Sequence, residues 1–163
     1  MVAGFTTLTW VHTILSLIAI VAGFVVVRDL LASRVSPVWT GVYIATAVLT
    51  SATGFLFAAP FGPSHVVGLL SLALLAGSIL ALYAFHLAGA WRWIYAITQT
   101  LAQFLLVFVL VAQFFKKVPA LAAIAPTQSE PPFAAAEGAV LAIFLVLAAV
   151  AAVRFRPIAA EAA

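Results

Sequence analysis

The chain has 163 residues, which is enough for one domain, and 67% of them are hydrophobic while 7% are charged. An ordinary soluble domain has roughly 45–50% hydrophobic and roughly 25% charged residues, so this chain lacks the charges that a water-facing surface needs. Its seven Lys or Arg and four Asp or Glu stand in ones and twos between apolar runs, which excludes a basic nucleic-acid-binding face. The absence of cysteine excludes disulfides and thiolate metal sites.

Five apolar stretches run along the chain, and each is long enough to cross roughly 30 Å of hydrocarbon as a helix that rises about 1.5 Å per residue. They cover residues 5–27, 38–59, 65–87, 93–115 and 133–153. The first stretch is too long for a signal-peptide core and no basic segment precedes it, so we interpret it as a retained span. The pattern predicts an all-α integral membrane protein, a single domain of five transmembrane helices in a lipid bilayer.

The predicted spans are separated by residues that end an apolar helix. Arg28 and Asp29 close the first span, and the turn at residues 60–64 holds two prolines and a glycine. The long loop, residues 116–132, contains an apolar piece at 118–124 that is too short to cross a bilayer. We expect this piece either along the membrane interface or as an ordinary loop on the helix ends.

Small polar residues recur at steps of three and four along the first four spans, so each set lies on one helix face. Because lipid offers no hydrogen-bond partners, these faces are expected to meet inside a left-handed four-helix bundle. Gly23 and Tyr43 lie on the same faces. The residues predicted to line the polar interior are Thr13, Thr46, Thr50, Tyr95, Gln99 and Gln103.

The fifth span has a different composition from the other four. After Glu137 and Gly138 it contains only Ala, Val, Leu, Ile and Phe. Such a span has no polar face to turn inward, so we expect it on the outside of the bundle or against a membrane protein partner.

Basic residues are divided unevenly between the two sides of the predicted spans, with five arginines on one side and two lysines on the other. The arginines are Arg28, Arg34, Arg92, Arg154 and Arg156, and the lysines are Lys116 and Lys117. By the positive-inside rule, this division predicts a multi-pass cell-membrane protein with its N-terminus outside and its C-terminus in the cytoplasm.

Histidine is the residue type to consider for a cofactor. His12 and His65 are expected near the same membrane face, whereas His86 lies about 31 Å from His65 by helical rise. Two histidines from two helices of a membrane bundle can hold a b-type haem by axial ligation. In outline the chain also resembles four-helix b-type cytochromes with histidines near their span ends; the candidate haem b ligands His12 and His65 follow from their predicted positions and not from this resemblance. The alternative is that both histidines are structural, His65 at a span end and His12 bonded to a neighbouring hydroxyl.

The remaining polar residues do not form a recognisable catalytic or ion-coupling site. Ser64 and His65 are adjacent, so on a helix they point apart, and no acid stands near to orient the imidazole. Glu137 is the one acid that enters a predicted span, about one turn in, where the helix dipole favours a carboxylate. Because no charge lies at mid-depth, an ion-coupled transporter is disfavoured. Gln99 and Gln103 either line a cavity or hold helices together.

These features predict a non-enzymatic accessory, assembly or scaffolding subunit that acts by helix packing. The overall form is similar to that of small polytopic proteins of bacterial inner membranes. Two alternatives stay open: a b-haem electron carrier that uses His12 and His65, and a small-solute channel or transporter. The channel would be lined by Tyr95, Gln99, Gln103, Thr46 and Thr50.

Overall fold

The computed structural model describes residues 7–57 and 61–156, and within these ranges the chain is helical, with no β-strand. Six α-helices follow one another in this part of the chain. They are α1 (Thr7–Leu31), α2 (Pro37–Gly54), α3 (Pro63–Ile79), α4 (Trp91–Lys117), α5 (Pro119–Ile124) and α6 (Pro131–Arg154). A π-helical turn, Leu80–Ala84, continues α3.

Four of these helices are long and apolar enough to cross a membrane: α1, α3 with its π-helical turn, α4 and α6. This confirms the all-helical class and fits a multi-pass membrane protein. The remaining predicted crossing, the second span at residues 38–59, corresponds to α2, which has 18 residues and a sequence made less apolar by its threonines. By length and composition α2 is not among the four, so the number of spans remains a prediction.

Several helix ends differ from the predicted boundaries. α1 continues four residues beyond the predicted end of the first span, to Leu31, so Arg28 and Asp29 lie in its last turns. α2 ends at Gly54 rather than at residue 59. Parts of the predicted spans and of the 60–64 turn, at residues 5–6 and 58–60, lie outside the described residues. Pro37, Pro63, Pro119 and Pro131 each begin a helix, as proline does at a first turn, where its missing N–H leaves no bond unmade.

The end of the predicted third span is not a straight helix. In the π-helical turn the N–H of Phe85 donates to the carbonyl of Leu80, and the N–H of Leu87 then donates back to the carbonyl of Ala81. His86 and Leu87 adopt left-handed φ angles of 47° and 58°, a conformation that ends a helix because it closes this kind of bond. His86 therefore lies outside the helix, in an exposed turn.

Helices α1 to α4 form a closed ring. α1 packs against α2 and α4, and α3 packs against the same two helices. α6 packs on α4 and also on α1, so it lies over the groove between them. The short α5, which covers the apolar piece of the long loop, packs on α4.

Small residues allow α1 to approach its neighbours inside the ring. Ala19, Ala22 and Gly23 are buried on one side of α1. The ring interior also buries Tyr43 of α2 and Leu75 of α3. In a bilayer such close packing of small residues contributes to helix association because lipid provides no hydrophobic driving force between helices.

Candidate functional site

The centre of the ring is occupied by polar side chains from α4. Tyr95, Gln99 and Gln103 follow one another at four-residue steps, and all three are buried. This spacing places them one above the other on a single helix face, the face that α4 turns toward α1 and α2.

Gln103 links α4 to α1. Its side-chain Nε2 donates a hydrogen bond of 2.9 Å to the carbonyl of Ile20. The bond is possible because Gly23 has no side chain: a Cβ at this position would overlap the amide of Gln103 and would lie 2.7 Å from the ring carbon Cε2 of Tyr43. At this level the three residues fill the middle of the ring.

Tyr43 links α2 to the same face of α4. Its hydroxyl donates to the backbone carbonyl of Gln99 at 3.5 Å, and Nε2 of Gln99 donates to the hydroxyl of Tyr95 at 3.3 Å. Together with the bond from Gln103 to Ile20, these contacts connect α1, α2 and α4 through buried polar groups.

Several buried oxygens in this interior have no hydrogen-bond partner among the described protein groups. They are Oγ1 of Thr50, Oγ of Ser78, Oε1 of Gln99 and Oε1 of Gln103. A buried polar atom without a partner is destabilising by about 1–3 kcal/mol. The polar interior is therefore only partly satisfied by its own side chains.

The other predicted interior residues make no hydrogen bond with Tyr95, Gln99 or Gln103. Thr46 is half-buried, and its hydroxyl donates to the carbonyl of Val42 on its own helix at 2.7 Å. Thr13 is half-buried and Thr50 is buried. Gly23 and Tyr43 complete the site. Their places on inward-facing stripes were visible in the sequence, but their contact with Gln103 was not.

His12 is bound to α2. Its Nδ1 lies 2.9 Å from the hydroxyl of Thr53, and its ring meets that of Phe57 edge to face, with 5.2 Å between centroids. The histidine is half-buried. These contacts make it part of the packing between the first turns of α1 and the C-terminal end of α2.

His65 lies in the first turn of α3. The N–H of Gly62 donates to its Nδ1 at 3.2 Å, so the imidazole caps the helix. Its ring lies 5.2 Å from that of Phe61 and 5.6 Å from that of Phe55, measured between centroids.

The C-terminal end of α2 therefore contacts both histidines, His12 through Thr53 and His65 through Phe55. Each imidazole has one nitrogen engaged by a neighbouring group of the protein. Haem ligation by this pair remains a prediction from the sequence, which a visible spectrum of the purified protein would test. Within residues 7–57 and 61–156, no three His, Asp or Glu side chains cluster as metal ligands.

The arginines of the described residues lie at one end of the molecule. The C-terminal end of α1, the start of α4 and the end of α6 meet there, because Arg92 donates to the carbonyl of Phe155 at 2.7 Å and the N–H of Arg156 donates to Ser33 Oγ at 2.6 Å. Asp29, buried at this end, pairs with Arg28 and Arg34.

Glu137 of α6 is, with Asp29, one of two buried acids among the described residues, and only 8% of its surface is exposed. Neither carboxylate oxygen has a hydrogen-bond partner among the described residues. Along α6 it lies between two aromatic contacts with α4, Phe115 with Phe133 and Phe104 with Phe144.

Comparisons with protein-family models, with curated proteins and with solved structures found no match to this chain. Any statement about function therefore depends on the geometry described above.

Proposed function

We propose that this protein is a non-enzymatic accessory, assembly or scaffolding subunit of a bacterial inner membrane. The observation that carries the proposal is the filled centre of the helix ring. Gln103 crosses to α1 in the space left by Gly23, and Tyr43 packs against both. At this level the interior has no room for a passing solute, so the small-solute channel is disfavoured. The polar groups act as connections between helices.

Five crossings are consistent with this packing. α2 has 18 residues, so it is about 27 Å long, close to the roughly 30 Å of the hydrocarbon core. Its polar residues Tyr43, Thr50 and Ser51 are buried, and Val38 and Leu49 are exposed. A helix with this arrangement spans a bilayer inside a bundle even though its overall composition is less apolar. We expect the bundle to be left-handed, as most membrane bundles are.

The orientation proposed for the chain has the N-terminus outside and the C-terminus in the cytoplasm. Support comes from the contacts that join α1, α4 and α6 at the arginine-bearing end. Lys116 and Lys117 lie in the last turn of α4, at its opposite end. The larger number of basic residues belongs on the cytoplasmic side.

The surface proposed for a membrane protein partner is the outer face of α6. Apart from Arg154 in its last turn, its exposed large side chains are apolar: Leu141, Ile143, Leu145, Val146 and Val153. α6 is held to the ring by one side only, through α4 and α1. A second protein can therefore pack on its free side without disturbing the ring.

Photo-crosslinking from single positions tests the partner surface. A photoreactive amino acid is placed at Val146 of α6, which is 62% exposed, or at Leu69 of α3, a matched control that is 52% exposed. After irradiation in native membranes, we expect a discrete protein adduct from position 146 and lipid adducts from position 69. Lipid adducts alone at both positions, or the same protein adduct from both, would contradict an interface on α6.

A further inference from the structure

The passage from α1 to α2 forms an open cleft at the arginine-bearing end of the molecule. Its volume is about 250 Å³, and it is lined by Arg28, Asp29, Arg34, Val35, Ser36 and Trp39. The cleft is separate from the filled centre of the ring and from the outer face of α6. Two of its six lining residues are cationic and one is anionic, so its net charge is +1.

A buried carboxylate holds the two arginines of the cleft in place. Oδ1 of Asp29 accepts hydrogen bonds from Nη2 of Arg28 at 2.9 Å and from Nη2 of Arg34 at 3.2 Å. The side chain of Asp29 is only 6% exposed, whereas those of Arg28 and Arg34 are 67% and 65% exposed. A guanidinium has five N–H donors, and the carboxylate oxygen engages only some of them. Both arginines therefore present further donors to the cleft.

The backbone fixes this arrangement. The N–H of Arg34 donates to the carbonyl of Asp29 at 2.9 Å, and Ser33 has a left-handed φ of 57° that turns the chain at this point. Because both arginines bond to one carboxylate and the turn between them is closed, the guanidinium groups are already positioned. A ligand that binds them loses less side-chain entropy than it would with free arginines.

The first turn of α2 opens into the same cleft. Ser36 is the N-cap residue, and its side chain makes no capping hydrogen bond. The first amides of a helix have no partner within the helix and carry the positive end of its dipole; because Pro37 has no N–H, the amides concerned in α2 are those of Val38 and Trp39. They add to the attraction of the two arginines for an anion.

Trp39 indicates the level of the cleft relative to the membrane. Its ring lines the cleft and is 42% exposed. Tryptophan is enriched at the boundary between hydrocarbon and water, where lipid headgroups lie. A cationic cleft at this level lies beside the phosphates of the phospholipid headgroups.

We propose that this cleft binds the phosphate of an anionic phospholipid headgroup. Arg28 and Arg34 donate to the phosphate oxygens, and Ser36 supplies a hydroxyl. An anionic lipid is favoured over a zwitterionic one because the headgroup of the latter carries a positive charge near the two arginines. The site depends on the proposed membrane location but not on the proposed subunit role, so a loss of lipid binding leaves the crosslinking result at position 146 unchanged.

The test is an affinity measurement on the full-length protein in non-ionic detergent. Microscale thermophoresis is performed with short-chain phosphatidylglycerol, with short-chain phosphatidylcholine and with inorganic phosphate. We expect phosphatidylglycerol to bind at least about tenfold more tightly than phosphatidylcholine, since both lipids offer the same phosphate oxygens but the choline cation is repelled by the two arginines. Equal affinity for the two lipids would overturn the proposal. Inorganic phosphate that binds as tightly as phosphatidylglycerol would overturn the assignment to a lipid.

Variants locate the binding in the cleft. Arg34→Gln and Arg28→Gln are each expected to weaken phosphatidylglycerol binding at least about fivefold, because each removes a charged donor to the phosphate. Arg154→Gln is the matched control, since it removes an exposed arginine from the end of α6 and outside the cleft. If Arg28→Gln fails to fold, Arg34→Gln alone decides, because Asp29 then keeps its bond to Arg28. A loss in Arg154→Gln as large as in Arg34→Gln would contradict binding in the cleft.

Discussion

Gly23 cannot accept even one added methyl group without displacing buried neighbouring side chains. Its hydrogen faces the Gln103 amide and the Tyr43 ring on opposite helices, and neither neighbour can give way without breaking a buried contact. Glycine is required here by a close approach between helices and not by an unusual backbone angle.

Gly23→Ala is expected to destabilise the protein by about 2–4 kcal/mol, because overpacking adds to the loss of the bond from Gln103 to Ile20. Gly41→Ala, the control, places its Cβ in open space in the interior of α2 and is expected to raise stability slightly through helix propensity. Thermal unfolding in detergent measures both. Equal stability of the two variants would show that Gln103 does not occupy the space beside Gly23.

Glu137 is a residue whose replacement is expected to improve stability. Both of its carboxylate oxygens are buried without a partner, and an apolar side chain of similar size removes this penalty. Glu137→Leu is therefore expected to stabilise the protein by about 1–3 kcal/mol, while Glu137→Gln, which stays polar, gives little gain. Chemical unfolding in mixed micelles measures the difference. A clear loss of stability in Glu137→Leu would show that the carboxylate has a partner in the membrane.

At the scale of the element, the start of α6 is fixed by a small polar loop. Glu130 accepts hydrogen bonds from the hydroxyl and the N–H of Thr127 and from the N–H of Ser129. The side chain of Gln128 donates to the carbonyl of Ala112 at 2.6 Å and so ties the loop to α4. The loop therefore fixes the position at which α6 begins to pack against α4.

The Glu130 carboxylate makes this fixation dependent on pH. Desolvation acts in the opposite direction, but the hydrogen bonds from Thr127 and Ser129 prevail and lower the pKa of Glu130. A lowered folded-state pKa gives stability that is complete above the unfolded-state value and is lost as the pH falls through the folded-state value. The melting temperature of the wild type should therefore exceed that of Glu130→Gln at pH 7, and the difference should disappear well below about pH 4. A difference that persists in strong acid would contradict this.

Some features of the helices could be predicted from the sequence and others could not. The α4 stripe of Tyr95, Gln99 and Gln103 was predictable because polar residues at four-residue steps have only one face to occupy. The apolar composition of α6, which predicts a position outside the ring, could also be recognised in the sequence. The π-helical turn after Ile79 was not, because it is a backbone arrangement set by packing. The pairing of Gly23 with Gln103 was hidden too, since periodicity does not say which helices become neighbours.

For the whole molecule, the number of crossings determines where the two chain ends lie. If α2 crosses with the four long apolar helices, the ends are on opposite sides of the membrane, and if it does not, they are on the same side. We expect a C-terminal reporter active only in the cytoplasm, such as green fluorescent protein, to fluoresce. An N-terminal reporter active only outside should also be active. Two ends on the same side would contradict five spans.

The bond from Gln103 to Ile20 also constrains how the protein is made. The two residues are 83 positions apart, so α1, α2 and α3 leave the ribosome before the amide that joins α1 to α4 exists. Until then the space beside Gly23 is not filled by the side chain of Gln103. The contact that joins α1 to α4 can therefore form only after α4 has been synthesised, and α6, which packs on both helices, follows α4 in the chain.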